Sequence, residues 1–242
     1  MKEQIADFCK RLRLSKNIAD SYDRIDADSK EEYLLKILLN EVKYRETAKK
    51  NRLIKQAQFY YLKTFENYCF EEIRIPANLS IDDIKKAAFV QDKRNLILYG
   101  NVGSGKTHMS IAIGIEACNQ GKSVQFYRTA ALVNQLNDAK KKGELGKFLK
   151  HLSKADLLIC DEWCYIPLDR DGSKFLFQVI SDCYEQRSVI ITTNLEFSRW
   201  VNIFYDEQMT AAMIDRLVHH SYLLVFDGPS HRLKNSIMKG YN

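Results

Sequence analysis

Gly100-Asn-Val-Gly-Ser-Gly-Lys106-Thr107 decides the reading of this 242-residue chain. The octet fits G-x-x-x-x-G-K-S/T. In that pattern glycines let successive backbone N–H groups turn toward one anion, and the helix that follows adds the positive end of its dipole. The flanks agree with it: Asn95-Leu-Ile-Leu-Tyr99 leads in as an apolar strand, and Thr107 to Cys118 is rich in helix formers. A glycine-rich turn with no ligand would not require both. The phosphate cradle is therefore expected to run through Gly100, Asn101, Val102, Gly103, Ser104, Gly105, Lys106, Thr107 and His108. Lys106 is placed to reach the β- and γ-phosphates of a nucleoside triphosphate, and Thr107 to hold Mg²⁺.

Downstream of the loop, apolar runs alternate with amphipathic segments. Strands are expected at 95–99, 123–129, 155–161, 188–193 and 222–226, and helices at 106–119, 130–141, 144–153, 172–185 and 210–218. That alternation predicts an α/β domain with a parallel five-stranded sheet between helices. Upstream, residues 1–60 read as a small helical domain and residues 61–242 as the nucleotide-binding domain. Ser29-Lys-Glu-Glu32 has the form of a capping box and opens a periodic segment to about Gln58, with Tyr33, Leu34, Ile37, Leu38 and Val42 as its apolar face. Pro76 and Asn78 mark a loop, and Ser80 with Asp83 begins a short helix through Ala88.

Three further groups of residues complete a nucleotide site. Asp156-Leu-Leu-Ile-Cys-Asp161-Glu162 is a strand ending in two carboxylates, 55 residues beyond Lys106. Asp161 is the expected Mg²⁺ partner, and Glu162 the group that orients or deprotonates an attacking water. An acidic pair of this kind also occurs as a helix cap or turn, but its distance from the loop leaves room for two βα units. Ser188-Val-Ile-Ile-Thr-Thr-Asn194 presents a polar amide at the end of a buried strand, where it can bond the γ-phosphate or the water. Arg216, in Ala211-Ala-Met-Ile-Asp-Arg216-Leu-Val-His-His220, is a candidate for an arginine supplied to a neighbouring subunit; a surface pairing with Asp215 is the alternative. His219-His220 hints at a metal, but the sequence offers no third ligand nearby, so a structural role is expected for the pair.

Composition narrows the class. The net charge is +6, unevenly placed: residues 1–32 carry 7 basic and 8 acidic side chains, whereas residues 41–63 carry 7 basic and 2 acidic. The second segment suggests a polyanionic partner, with a solvated helix face as the equal alternative. Arg45, Lys49 and Arg52 recur at helical spacing. With Lys43, Lys50 and Lys55 they are candidate phosphate contacts for DNA, and Lys140, Lys141 and Lys142 form a weaker second cluster. Six scattered cysteines without a C-x-x-C pair argue against a zinc module or a disulfide framework. No apolar run approaches the ~18 residues of a membrane span, and the charged N-terminus does not resemble a signal peptide, so a cytoplasmic protein is expected.

Together these pieces resemble the IstB-like branch of the AAA+ ATPases, relatives of the DnaC helicase loaders. The resemblance is carried by Gly100–His108, Leu157–Asp169, Ser188–Asn194, Ala211–His220 and Gly228-Pro-Ser-His-Arg232, with Glu41–Glu46 and Leu62–Glu66 upstream. It implies an AAA+ fold, ATP with Mg²⁺ as cofactor, and a helper ATPase of transposition. Such a helper assembles on double-stranded DNA as a homo-oligomer with ATP-bridged interfaces, and directs a separate transposase. It also implies roles: Lys106 and Thr107 as Walker A, Asp161 and Glu162 as Walker B, Asn194 as sensor 1, Arg216 as arginine finger and Arg232 as sensor 2. Two positions depart from the pattern. His231 stands where tyrosine is usual, and Trp163-Cys164 replaces an apolar–glycine pair. A DnaC-type helicase loader is the alternative within the same fold, and a non-catalytic DNA-coating protein is the alternative outside enzymes.

Overall fold

The computed structural model describes residues 1–163, 168–204 and 206–234. Cys164 and the Tyr165-Ile-Pro part of the extension after the acidic pair lie outside the described residues. The chain divides into two compact units, Met1–Arg52 and Leu53–Asn242. The division falls inside a helix, ahead of the 60/61 boundary drawn from sequence.

The first unit consists of helices α1 (Lys2–Arg11) and α2 (Lys16–Ser21) and the greater part of α3 (Lys30–Ala57). Ser29 caps α3 by accepting the Glu32 N–H at 3.1 Å, but Glu32 closes back onto the Asp28 N–H at 2.9 Å, one residue earlier than a standard capping box. The apolar face expected on this helix is only half realised. Tyr33 and Ile37 are partly covered, while Leu34, Leu38 and Val42 are exposed, as are Leu35 and Leu39. Its tightest anchor is polar. Glu41, 4% exposed, accepts from the Ser15 backbone N–H at 2.8 Å, from the Ser15 hydroxyl, and from Arg45 Nε at 2.6 Å.

In the second unit a six-stranded sheet has the order β1-β6-β2-β5-β4-β3. The five parallel strands are β2 (Asn95–Gly100), β3 (Val124–Arg128), β4 (Leu157–Asp161), β5 (Ser188–Thr193) and β6 (Ser221–Phe226). These are the five strands expected. The sixth is an addition: β1 (Ile73–Arg74) pairs antiparallel to the Val225–Phe226 end of β6. Ser80 and Asp83 form a full capping box on α4 (Ile81–Lys85).

The period of two along each buried strand sends alternate residues to opposite faces. Leu157 and Ile159 of β4 join Met109, Ile111 and Ile113 of α5 (Lys106–Asn119) in one core. Leu158 and Cys160 face the other core, with residues of α6 (Thr129–Lys141), α7 (Leu145–Leu152), α8 (Arg170–Cys183) and α9 (Glu207–His219). The short α10 (His231–Lys234) follows β6. Because the strands are parallel, all five of their C-terminal ends lie along one edge, and the site is built there. Five of the six cysteines are described, each free, and all but Cys69 are buried. Among the described residues no helix is long and apolar enough to cross a membrane.

Candidate functional site

β2 ends at Gly100, and the loop to α5 turns through conformations that side chains resist. Gly103 has φ +80°, and a Cβ there would lie 2.2 Å from the Ser230 hydroxyl; Gly105, the N-cap of α5, has φ +102°. Both positions need glycine. The loop backs onto two other segments. Tyr68 donates its hydroxyl to the Gly105 carbonyl at 3.2 Å, and the His231 N–H donates to the Gly103 carbonyl at 3.0 Å. His231 thus supports the loop through its main chain, while its ring approaches Glu72 at 3.6 Å. The Ser104 hydroxyl donates to the Asn101 carbonyl at 2.7 Å.

A cavity of about 680 Å³ opens over this loop, within the range of small-ligand sites. Val102, Gly103, Gly105, Lys106, Thr107 and His108 line it, and Glu162, Asn194 and Arg232 converge on it from three other places in the chain. Tyr61, Lys63, Thr192, Thr193 and His231 also line it; of these the sequence pointed only to His231, as a departure from the family pattern. Lys106 Nζ donates to the Gly100 and Asn101 carbonyls at 2.8 and 2.6 Å. Burial pulls its pKa down to about 8; the Asp161 charge acts upward, and Arg232 adds to the lowering. Tyr61 is pushed up, first by burial and then by Asp161.

The acidic pair divides its labour by geometry. Asp161 is 2% exposed, and its Oδ1 accepts from the Thr107 hydroxyl at 2.9 Å and the Thr192 hydroxyl at 2.5 Å. Glu162 leaves the strand end at φ +56°, with its N–H on Thr192 Oγ1 at 3.0 Å. Its carboxylate is half exposed and lies 3.6 Å from Arg128 Nε. The next residue, Trp163, is fully buried and packs on Trp200 and Phe204, so the tryptophan of the Trp163-Cys164 departure is a core anchor beside the site. Arg128 ends the neighbouring strand in register with Asp161, a pairing that no sequence spacing reveals. Thr192 had a signal: it lies inside the strand read for Asn194.

The residues suit a magnesium nucleotide. Oxygen donors from a hydroxyl (Thr107) and a carboxylate (Asp161) already sit together, as a hard divalent cation requires. Two cations, Lys106 and Arg232, face the same cavity as the backbone loop.

Arg216 is not part of this cavity. Its guanidinium lies 4.8 Å from the Phe177 ring centroid on α8, and Nη1 is out of solvent with no hydrogen-bond partner. The DNA-contact candidates on α3, Lys43, Arg45, Lys49, Lys50, Arg52 and Lys55, are all exposed, and Arg45 is in addition tied to Glu41 and to the Arg13 carbonyl. All three lysines of the second cluster are exposed, and Lys140 is paired with Asp171 at 3.0 Å. The histidine pair does have a third potential ligand nearby, contrary to the expectation from sequence: Glu185.

A model of the IstB-like ATP binding protein family matches residues 14–239. The protein named for ATP binding in insertion sequence IS5376 of Geobacillus stearothermophilus is 34% identical over 239 residues, covering 97% of this chain and 95% of that one. Its counterpart in IS21 of Pseudomonas aeruginosa is 34% identical over 209 residues, covering 86% and 79%. Among solved structures, the DnaC helicase loader aligns with a TM-score of 0.52 at 22% identity, over 63% of this chain and 93% of that one. DnaA bound to AMPPCP and single-stranded DNA aligns with a TM-score of 0.54 at 20% identity, over 71% and 52%. At such identities the likeness speaks for the fold, which is that of an AAA+ domain.

Proposed function

The chain belongs to the family of IstB-like ATP binding proteins, and from that premise we propose that it is a Mg²⁺-dependent ATPase that helps an insertion sequence transpose. In this reading it oligomerises on duplex DNA with ATP, in the cytoplasm where that DNA is held, and recruits or stimulates the transposase of the same element.

The observation that carries the reading is the division of the catalytic set. Walker A, Glu162, Asn194 and Arg232 meet in one cavity, while Arg216 stands outside it with an unsatisfied guanidinium nitrogen. An arginine of that kind is suited to a neighbouring subunit's site. Arginines supplied this way raise phosphoryl-transfer rates by about 10³–10⁵. Thr107 and Asp161 would hold the Mg²⁺, which neutralises charge on the β- and γ-phosphates when bound. Lys106 and Arg232 bind the phosphates, Asn194 orients the attacking water, and Glu162 takes its proton. A contact in which one face offers ATP and the other an arginine is heterologous, so it builds rings or filaments rather than closed dimers. The exposed lysines of α3 with Arg52, and Lys141 and Lys142, would meet phosphates without reading bases, so affinity would fall steeply with salt.

The DnaC-type alternative shares the ATPase core but should bind a helicase and prefer single-stranded DNA. The insertion-sequence relatives at 34% identity over most of the chain favour the transposition reading. Sizing on a long random-sequence duplex with Mg²⁺ tests it. A large complex should form with ATP and not with ADP. Binding indifferent to nucleotide, or none to duplex at all, would overturn the proposal and favour the helicase loader.

A further inference from the structure

At the opposite end of the parallel strands from the nucleotide cavity, two separate turns bring three metal-ligating side chains together. His219 is the last residue of α9, His220 caps it, and Glu185 follows α8 in a left-handed conformation at φ +57°. One donor atom from each of the three lies within 4.8 Å of the others. His220 Nε2 is 3.0 Å from Glu185 Oε1, and the two imidazole centroids are 4.2 Å apart. Tyr184 completes the group, with its hydroxyl hydrogen-bonded to His219 Nδ1 at 2.9 Å.

We infer that Glu185, His219 and His220 form a binding site for a divalent transition metal of the zinc class. Two imidazoles and a carboxylate are the donor set of open tetrahedral zinc sites, in which water takes the fourth position. Bonds of about 2.0–2.2 Å put neighbouring ligand atoms roughly 3.4 Å apart in a tetrahedron, so the cluster needs to contract by little more than an ångström. Glu185 and His219 are exposed and His220 is partly so, with the Tyr184 ring against both imidazoles. Tyr184 supplies the outer hydrogen bond that orients a ligating imidazole. The ion would join the turn after α8 to the end of α9, across 35 residues of chain. The site lies about 20 Å from the phosphate loop along a six-residue strand, so it is separate from the Thr107–Asp161 pair. Arg216 stands one turn earlier on α9, and its charge reaches Tyr184.

Equilibrium dialysis of the metal-stripped full chain against micromolar Zn²⁺ tests the site directly. A single zinc should bind per chain, and Glu185→Gln, His219→Gln and His220→Gln should each weaken it by at least roughly tenfold, the loss typical of even an outer-shell partner. Cys69→Ser, which removes the exposed thiol, should leave zinc binding unchanged. Binding of a fluorescent ADP reports that each variant is folded. Should a histidine variant fail that control, the exposed Glu185→Gln alone decides. No zinc bound at micromolar free metal, or equal binding by wild type and Glu185→Gln, would overturn the site.

Discussion

Lys106 sits between opposing pressures. Burial favours its neutral amine and brings its pKa down to about 8, while the Asp161 carboxylate favours the charged form and Arg232 opposes it. The ammonium is therefore intact at neutral pH but close to its titration. Without ligand, this group costs stability below pH 8, where burial must tolerate the charge; the cost fades as pH rises from 8 toward 10.5, where the unfolded chain also loses the proton. A bound polyphosphate reverses the balance and raises the pKa. Through Lys106, nucleotide binding should then weaken above pH 8, approaching tenfold per unit, because each binding event takes up a proton. Calorimetry at pH 8.5 in two buffers of different ionisation enthalpy should read an uptake of up to about three quarters of a proton per nucleotide, the share of Lys106 that is neutral there. Zero uptake there would mean that Lys106 does not titrate against the phosphates.

At the scale of elements, α3 shows how a helix can be legible while its packing is not. Ser29, the 3.6-residue periodicity and the run to Gln58 were enough to place it, yet the stripe assigned to its core left Leu34, Leu38 and Val42 exposed. Its buried anchor is a carboxylate, which periodicity discounts. Burial pushes the Glu41 carboxyl up, but the Ser15 and Arg45 hydrogen bonds outweigh that and hold it below the usual range. A depressed carboxylate stabilises the fold above its unfolded pKa and loses that contribution as pH falls through the folded value, so α1 and α2 should loosen on acidification below about pH 4.5. Glu41→Ala should destabilise the Met1–Arg52 unit by about 1–3 kcal/mol, since the Ser15 N–H loses its acceptor. Hydrogen exchange should speed up in α1 and α2 while β2, β4 and β5 stay protected and ADP affinity stays constant. Equal exchange in wild type and variant would remove Glu41 as the anchor. β1 shows the opposite case, because two residues on a sheet edge carry no period to read, and only their pairing with Phe226 and Val225 makes Ile73 and Arg74 a strand.

For the whole molecule, what was legible was what the chain writes locally. The phosphate loop, the carboxylates closing an apolar strand and the amide closing the next each announce themselves within a few residues. Arg128 beside Glu162, Thr192 on Asp161, and Glu185 beside the histidines arise from strand register and helix ends that meet only in the fold. Arg216 belongs to a third level, since a single chain does not bring it to its own cavity. That makes its role testable by mixing two defective chains. Lys106→Ala removes the proposed phosphate ligand but keeps Arg216, and Arg216→Ala keeps the phosphate loop but removes the proposed finger. Each alone should lose ATP hydrolysis, by about 10³-fold or more for the arginine variant. In an equal mixture, about a quarter of the head-to-tail interfaces pair an intact phosphate site with an intact arginine, and turnover should recover to about that fraction of wild type. Recovery requires the arginine to act between subunits, because neither chain holds a complete set. A mixture that co-assembles on duplex DNA and still fails to turn over ATP would return Arg216 to a structural role against Phe177.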